Sequence, residues 1–107
     1  MENKTNNNSL EINARQMAVR ILTRVEKEGA YANLLLRDSL DEIEDPRDRH
    51  LVSSLVNGVL KNKLLLDYAL RRHLKSPMSS FPYELRALLR MGAFQLLFLT
   101  KIPAFAA

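Results

Sequence analysis

The 107-residue sequence contains no cysteine, which excludes disulfide bonds, thiolate metal ligands and a cysteine nucleophile from this chain. It has only three glycines and four prolines, so it offers few tight turns and leaves room for long helices. The longest apolar run, MGAFQLLFL, is far shorter than the roughly 20 residues that cross a bilayer. The polar start MENKTNNNSLE lacks the apolar core of a signal peptide. We therefore expect a cytoplasmic protein without membrane contact.

Positive charge is concentrated in the second half of the chain. Residues 1–48 hold seven Lys and Arg against ten Asp and Glu, whereas residues 49–107 hold nine against two. Such an excess favours a polyanionic partner such as nucleic acid, although small domains also carry basic charge for solubility alone.

Apolar residues recur with helical spacing, and no segment shows the alternation typical of a strand. Helices are predicted at residues 14–28, 31–43, 64–74 and 82–99, with another beginning at Pro46 behind an Asp45 N-cap and a sixth at Pro103. Residues 1–12 are predicted to form a disordered polar tail. From Met91 to Leu99 the chain is apolar nearly all round, so other helices should enclose it on most sides. Gly58 and Gly92 should allow neighbouring helices to approach closely.

The predicted fold is therefore all-α, a bundle of five to six helices around a central apolar helix at 82–99, formed by residues 13–107 as one domain. The sequence has no Gly-rich phosphate loop, no metal-ligand spacing and no Ser/His/Asp grouping. We interpret His73 as a residue at the edge of the core and His50 as solvated. This chain alone is predicted not to be an enzyme, with neither catalytic nor metal-binding residues.

Two groups of basic residues are candidate RNA-binding sites. Arg20, Arg24 and Lys27 follow an i, i+4, i+7 spacing on the first helix, with Arg15 flanking them. The second group surrounds the fourth helix and consists of Lys61, Lys63, Arg71, Arg72 and Lys75. Either group could follow a phosphate backbone, because arginine offers paired donors to phosphate oxygens. A solvated helix face has the same pattern.

Several segments, in this order and spacing, resemble a known family: ARQMAVRIL, GAYANLLL, DRHLVSSLVNGVL, LDYAL and ELRALLRMGAFQLLFLTKIPAFAA. They are similar to the NusB family of small all-helical RNA-binding proteins. The sequence looks more like the NusB-like N-terminal domain of the Sun/Fmu (RsmB-type) ribosomal RNA cytosine-5 methyltransferases. The resemblance covers residues 13–107.

The resemblance implies a fragment of a longer chain, truncated at its C-terminus within a helix. The complete protein would use S-adenosylmethionine and a catalytic cysteine, neither of which can be assigned to a residue here. The implied partners are ribosomal RNA and the missing methyltransferase domain, and self-association through the truncated apolar face is expected. NusB proteins contact RNA partly through the first helix, which matches Arg15, Arg20 and Arg24, but LEIN stands where they have an arginine run.

Three functions remain open at this point. The chain could be an RNA-binding accessory domain that positions the methyltransferase on ribosomal RNA. It could instead be a structural domain that docks on the catalytic domain with little RNA contact. The third alternative is a transcription antitermination factor of the NusB type.

Overall fold

The computed structural model describes residues 7–99, with side chains described for residues 14–98. Within this range the chain forms α1 (Asn7–Glu28), α2 (Ala32–Leu40), α3 (Pro46–Lys61), α4 (Lys63–Arg71) and α5 (Tyr83–Phe94). A short 3₁₀ turn at Met78–Ser80 precedes α5, and a π-helical turn at Gln95–Leu99 follows it. The all-α prediction is confirmed, since residues 7–99 contain no strand. The sixth helix predicted at Pro103 lies outside the described residues.

Helix α1 begins earlier than its apolar pattern predicts. The helix starts at Asn7, within the segment predicted to be a disordered tail, whereas residues 1–6 lie outside the described range. Residues 7–13 contain neither proline nor glycine, so the backbone can continue the helix in this direction.

The end of α1 is as predicted. Gly29 has a left-handed φ of 70°, and its N–H donates to the Val25 carbonyl at 3.1 Å.

The start of α3 follows the predicted capping pattern. One Asp45 carboxylate oxygen accepts a hydrogen bond from the Arg47 backbone N–H at 2.9 Å, and Pro46 is the first helical residue. Helix α2 ends at Leu40, before the predicted residue 43. The Arg49 guanidinium of α3 donates to the carbonyls of Ile43 and Glu44, so the connection between α2 and α3 is held by a side chain rather than by continued helix.

Helices α3 and α4 are separated by a single non-helical residue, Asn62. This residue leaves helical geometry (φ −111°, ψ 20°), and its side-chain amide and backbone N–H both donate to the Gly58 carbonyl, at 2.8 and 3.1 Å. Helix α4 then ends at Arg71, before the predicted residue 74, because the His73 N–H bonds to the Leu70 carbonyl in a tighter turn.

The core lies where α1, α3 and α5 meet. Its buried apolar side chains are Ala14, Ala18, Ile21 and Leu22 of α1, Leu36 of α2, Val52, Leu55, Val56 and Val59 of α3, Leu66 of α4, and Ala87, Met91 and Phe94 of α5.

Gly58 allows the close approach that the sequence predicts. A Cβ atom at position 58 would overlap the Phe94 ring, so only glycine leaves room for α5. Gly92, by contrast, has no described neighbour within 4 Å of a Cβ placed there, so no described helix makes the close approach predicted for it.

Helix α5 contacts three helices, α1, α3 and α4, as expected of a central helix. It is nevertheless not enclosed on most sides. Ala87, Met91 and Phe94 face the core, whereas Leu88 and Leu97 are each 53% exposed. Within residues 14–98 no further element covers this second face, so the predicted all-round enclosure is wrong for the described structure.

No helix within the described range is both long and apolar enough to span a membrane.

Candidate nucleic-acid interface

Three of the predicted RNA-binding residues share the outer face of α1. Arg20, Arg24 and Lys27 are all exposed to solvent. At about 100° per residue their side chains leave the helix within about 60° of one another. Arg24 forms a surface ion pair with Glu28, Nε to Oε1 at 3.2 Å, in which both side chains are about half exposed. Such a pair is weak enough to open for another anion.

Arg15 does not belong to this face, contrary to the prediction. It projects about 140° away from Arg20 around the helix axis and points towards the end of α5. Its Nε and Nη2 atoms both donate to Gln95 Oε1 at 3.3 Å, and the side chain is half-buried. Because Gln95 in turn donates to the Met91 carbonyl, Arg15 takes part in joining α1 to the end of α5.

The second predicted group is divided along α4. Lys61 and Lys63 flank Asn62 at the start of the helix, whereas Arg71, Arg72 and Lys75 lie at or beyond its far end, with residues 63 and 71 about 12 Å apart at 1.5 Å per residue. Lys63 Nζ is 4.0 Å from Glu26 Oε2 of α1. The three residues at the far end are exposed and form a separate basic patch.

An aromatic ring lies beside this basic patch. Tyr68 of α4 is 57% exposed, and the Arg71 guanidinium carbon lies 5.8 Å from its ring centroid, within the range of a cation–π contact.

His73 is exposed next to Tyr68 and Arg71, so the prediction that it belongs to the edge of the core is wrong. The helical register that would have buried it ends two residues earlier, at Arg71. His50 is exposed, as predicted.

A buried ionic network, which sequence reasoning missed, connects α1, α4 and α5. The Arg90 guanidinium donates to both carboxylate oxygens of Asp67, at 2.7 and 3.0 Å, and to Glu26 Oε1 at 2.9 Å. Its side chain is only 7% exposed. Burial by itself would lower the pKa of Arg90, but the hydrogen bond and charge of Asp67, together with Glu26, raise that pKa above its ordinary value. Arg90 therefore stays charged inside the fold.

Arg86, one turn before Arg90, extends this network to the loop before α5. Its Nη1 atom donates to Glu26 Oε2 at 3.1 Å, and its remaining donors reach the Phe81 and Ser79 carbonyls at 2.8 and 2.9 Å. The guanidinium also lies over the Tyr83 ring, 4.3 Å from its centroid. Arg86 and Arg90 therefore both hold neighbouring elements together.

The network separates the two sets of exposed cations. On α1, Glu26 projects about 120° from Arg20 and about 100° from Lys27, towards α4 and α5. The outer face of α1 and the basic patch at the end of α4 are therefore distinct surfaces. Within the described residues no three His, Asp or Glu side chains are grouped so that they could hold a metal ion.

The geometry defines a small all-helical domain with two separate cationic surfaces. Residues 12–107 match the NusB family, and the chain belongs to that family. It is 38% identical over 95 residues to "Probable ribosomal RNA small subunit methyltransferase B" of Bacillus subtilis, covering 87% of this chain and 21% of that protein. It is 38% identical over 94 residues to "Ribosomal RNA small subunit methyltransferase B" of Xanthomonas campestris, covering 88% and 21%.

A third relative, "Probable ribosomal RNA small subunit methyltransferase B" of Synechocystis, is 31% identical over 97 residues, covering 90% of this chain and 22% of that protein. The chain thus spans about a fifth of the length of the curated relatives it matches. No solved structure matches it.

Proposed function

We propose that this chain is an RNA-binding accessory domain that positions an S-adenosylmethionine-dependent methyltransferase on ribosomal RNA. The observation that carries the proposal is the exposed cationic face of α1, Arg20, Arg24 and Lys27, in a NusB-family chain whose relatives are named as ribosomal RNA methyltransferases. The cofactor and the catalytic cysteine would belong to another domain of the complete protein, which modifies cytosine at its C5 position.

In this proposal the exposed cations bind phosphates rather than bases. Each arginine can present two parallel N–H donors to a phosphate. Arg20 and Lys27 are already exposed, so neither has to leave the core to bind one. Lys61, Lys63, Arg71, Arg72 and Lys75 would contact a second part of the RNA. Arg15 would contribute less, because Gln95 already accepts hydrogen bonds from its guanidinium.

The first test is the salt dependence of RNA binding. Five phosphate contacts to single-stranded RNA predict a slope of about −3.5 for log K against log salt concentration. Fluorescence anisotropy with labelled fragments of small-subunit ribosomal RNA between 50 and 500 mM KCl would measure the slope. A slope near zero would show that the chain does not bind RNA through contacts to its phosphates.

The second test locates the contact on the molecule. The double variant Arg20→Glu/Arg24→Glu should bind the same fragments at least about tenfold more weakly, because two phosphate contacts become repulsive. Arg37→Glu/Arg47→Glu is the matched control, with the same change of charge at exposed positions on α2 and α3. Equal losses for the two variants would mean that net charge, not the outer face of α1, determines binding.

The second candidate function is a docking domain that packs on the catalytic domain. The uncovered face of α5 favours it, since Leu88 and Leu97 are each about half exposed and Leu85 is 38% exposed. Normal ribosomal RNA methylation by a complete methyltransferase that carries Arg20→Glu/Arg24→Glu would favour docking over RNA contact. Self-association of the 107-residue chain that Leu88→Gln/Leu97→Gln abolishes in sedimentation velocity would show that the leucine face binds protein.

A further inference from the structure

An apolar groove lies between α4 and the end of α5, and Tyr68 forms one of its walls. Leu65 and Leu97 contribute apolar surface, and the ring of Phe98, itself 41% exposed, is the second aromatic surface. Phe98 is held in place because its ring lies against the buried Phe94 ring, with centroids 5.3 Å apart and planes tilted by 31°. The groove therefore presents two partly exposed rings rather than aliphatic side chains alone.

The charged residues around this groove carry one sign only. These are two arginines: Arg72 lines the groove, and Arg71 lies over the Tyr68 ring. Among the described residues no carboxylate lines it, because Asp67, the acidic residue of α4, accepts two hydrogen bonds from Arg90 instead. An anionic ligand with a flat apolar part complements this arrangement.

We infer that this groove binds an unpaired nucleotide of RNA, with the base stacked against Tyr68 or Phe98 and the adjoining phosphate bound by Arg72. A nucleotide combines a planar π surface with a neighbouring negative charge. Base–aromatic stacking accepts any base, so the groove selects single-stranded over paired RNA rather than a particular sequence. This inference rests on the proposed function and deepens it, because it assigns the second basic patch to unpaired RNA while the outer face of α1 follows the backbone.

The test compares single-stranded and duplex RNA. A fluorescein-labelled 12-nucleotide oligo(U) and a 12-base-pair RNA duplex are titrated with the 107-residue chain at fixed salt. The key variant is Tyr68→Leu, which removes the ring but keeps an apolar side chain at an exposed position, so the fold is retained. Tyr68→Phe keeps the stacking surface. Tyr31→Leu is the matched control, because Tyr31 is an exposed tyrosine (80%) outside this groove.

We expect Tyr68→Leu to weaken oligo(U) binding at least about fivefold, the lower limit for the loss of one stacked base. Its affinity for the duplex should stay within about twofold of the wild type. Tyr68→Phe and Tyr31→Leu should bind both RNAs like the wild type. A photocrosslink from 4-thiouridine in the oligonucleotide to a peptide that contains Tyr68 or Phe98 would give independent support.

Each contrary result has its own meaning. If Tyr68→Leu binds oligo(U) like Tyr31→Leu, and Arg20→Glu/Arg24→Glu still weakens binding, the groove assignment is wrong and the proposed function survives. Absence of any RNA binding by the wild type at low salt would overturn both. Binding of an acidic apolar peptide that is lost in Tyr68→Leu, with RNA binding unchanged, would assign the groove to a protein partner instead.

Discussion

Replacing Arg90 with methionine should destabilise this domain far more than the same change at Arg24. Both arginines pair with carboxylates, but the Arg90 side chain is 7% exposed, whereas that of Arg24 is 49% exposed. Arg90→Met removes three hydrogen bonds of 2.7 to 3.0 Å and leaves Asp67 without its two. Removing one member of a buried ion pair typically costs about 3–5 kcal/mol.

The lower end of that range applies here. The side chains of Asp67 and Glu26 are 29% and 21% exposed, so water can replace part of what they lose, and Glu26 keeps its 3.1 Å contact with Arg86. We therefore expect a loss of about 3 kcal/mol for Arg90→Met. Arg24→Met breaks a 3.2 Å pair between half-exposed side chains four residues apart on one helix, which contributes about 0.5 kcal/mol or less.

Urea unfolding followed by far-UV circular dichroism at 25 °C and pH 7 measures both losses. Raising the salt from 0.05 to 1 M should abolish the small effect of Arg24→Met, because the Debye length falls to about 3 Å, and should leave most of the Arg90→Met effect. The pKa of Arg90 is raised, so its contribution is present below the unfolded pKa and would be lost only as the pH rises through the higher folded value. Stability should thus not fall through deprotonation of this group up to about pH 10.

A double-mutant cycle separates the ion pair from the lost volume. Arg90→Met/Asp67→Leu should be about 1.5–3 kcal/mol more stable than the sum of the two single losses predicts, because the second change removes the carboxylate that the first one strands. An Arg90→Met loss no larger than that of Arg24→Met, or a cycle with no coupling, would refute the assignment of this network as a structural clamp.

The remaining predictions also concern stability, measured by the same urea titration. Gly58→Ala should cost about 2 kcal/mol or more, because its Cβ would overlap the Phe94 ring. The same substitution should cost less in a Phe94→Leu protein. An equal cost in the wild type and in Phe94→Leu would contradict the close approach of α3 and α5. Gly92→Ala, whose Cβ meets no atom of residues 14–98 within 4 Å, should stabilise by about 0.5–1 kcal/mol. Gly29→Ala should cost about 1–2 kcal/mol because φ is +70°, and Gly29→Asn should cost less. Thr23→Val should stabilise by about 1 kcal/mol, since the buried Thr23 hydroxyl has no hydrogen-bond partner within the described residues; a loss would show that it has one.

Local sequence signals predicted the features that depend on neighbouring residues. Asp45 and Pro46 marked the start of α3, and Gly29 marked the end of α1, because capping uses atoms only a few positions apart. Helix ends were less predictable where tertiary contacts decide them. For example, the Ile43 and Glu44 carbonyls just after α2 accept hydrogen bonds from the guanidinium of Arg49, which belongs to the next helix.

Apolar spacing alone does not show which face of α5 is buried, and the reason is physical. Leu85, Leu88 and Leu89 have the spacing of a buried stripe, yet Leu85 and Leu88 are exposed. The stripe that the structure buries includes Ala87, Met91 and Phe94, and Arg90 lies on it at the same helical spacing. The i, i+4, i+7 spacing of Ala87, Met91 and Phe94, interrupted by Arg90, is the signal in the sequence that marks this buried face. Its meaning depends on Glu26, 64 positions away, which helical periodicity cannot reveal.

For the candidate interface, the sequence predicted which cations would be available better than it predicted their arrangement. Arg20, Arg24 and Lys27 share one exposed face as expected. Lys61 and Lys63 are separated from the far end of α4 by the length of that helix, about 12 Å between residues 63 and 71. The aromatic groove could not be predicted, because its two rings lie 30 positions apart in the chain on different elements.

The ionic network links the stability of the fold to the charge of its surface. Helix α4 contains one carboxylate, Asp67, directly before Tyr68. Because Arg90 holds both oxygens of that carboxylate, Asp67 forms no ion pair with the exposed Arg71 or Arg72 in the part of the chain that the structure describes. In Arg90→Met, Asp67 would be released beside the basic patch and would repel a phosphate there. The variant should therefore lose affinity for oligo(U) under conditions in which it is still fully folded, and Arg90→Met/Asp67→Leu should recover that affinity. An unchanged affinity in the folded single variant would show that Asp67 stays turned away without Arg90, and that the network acts on stability alone.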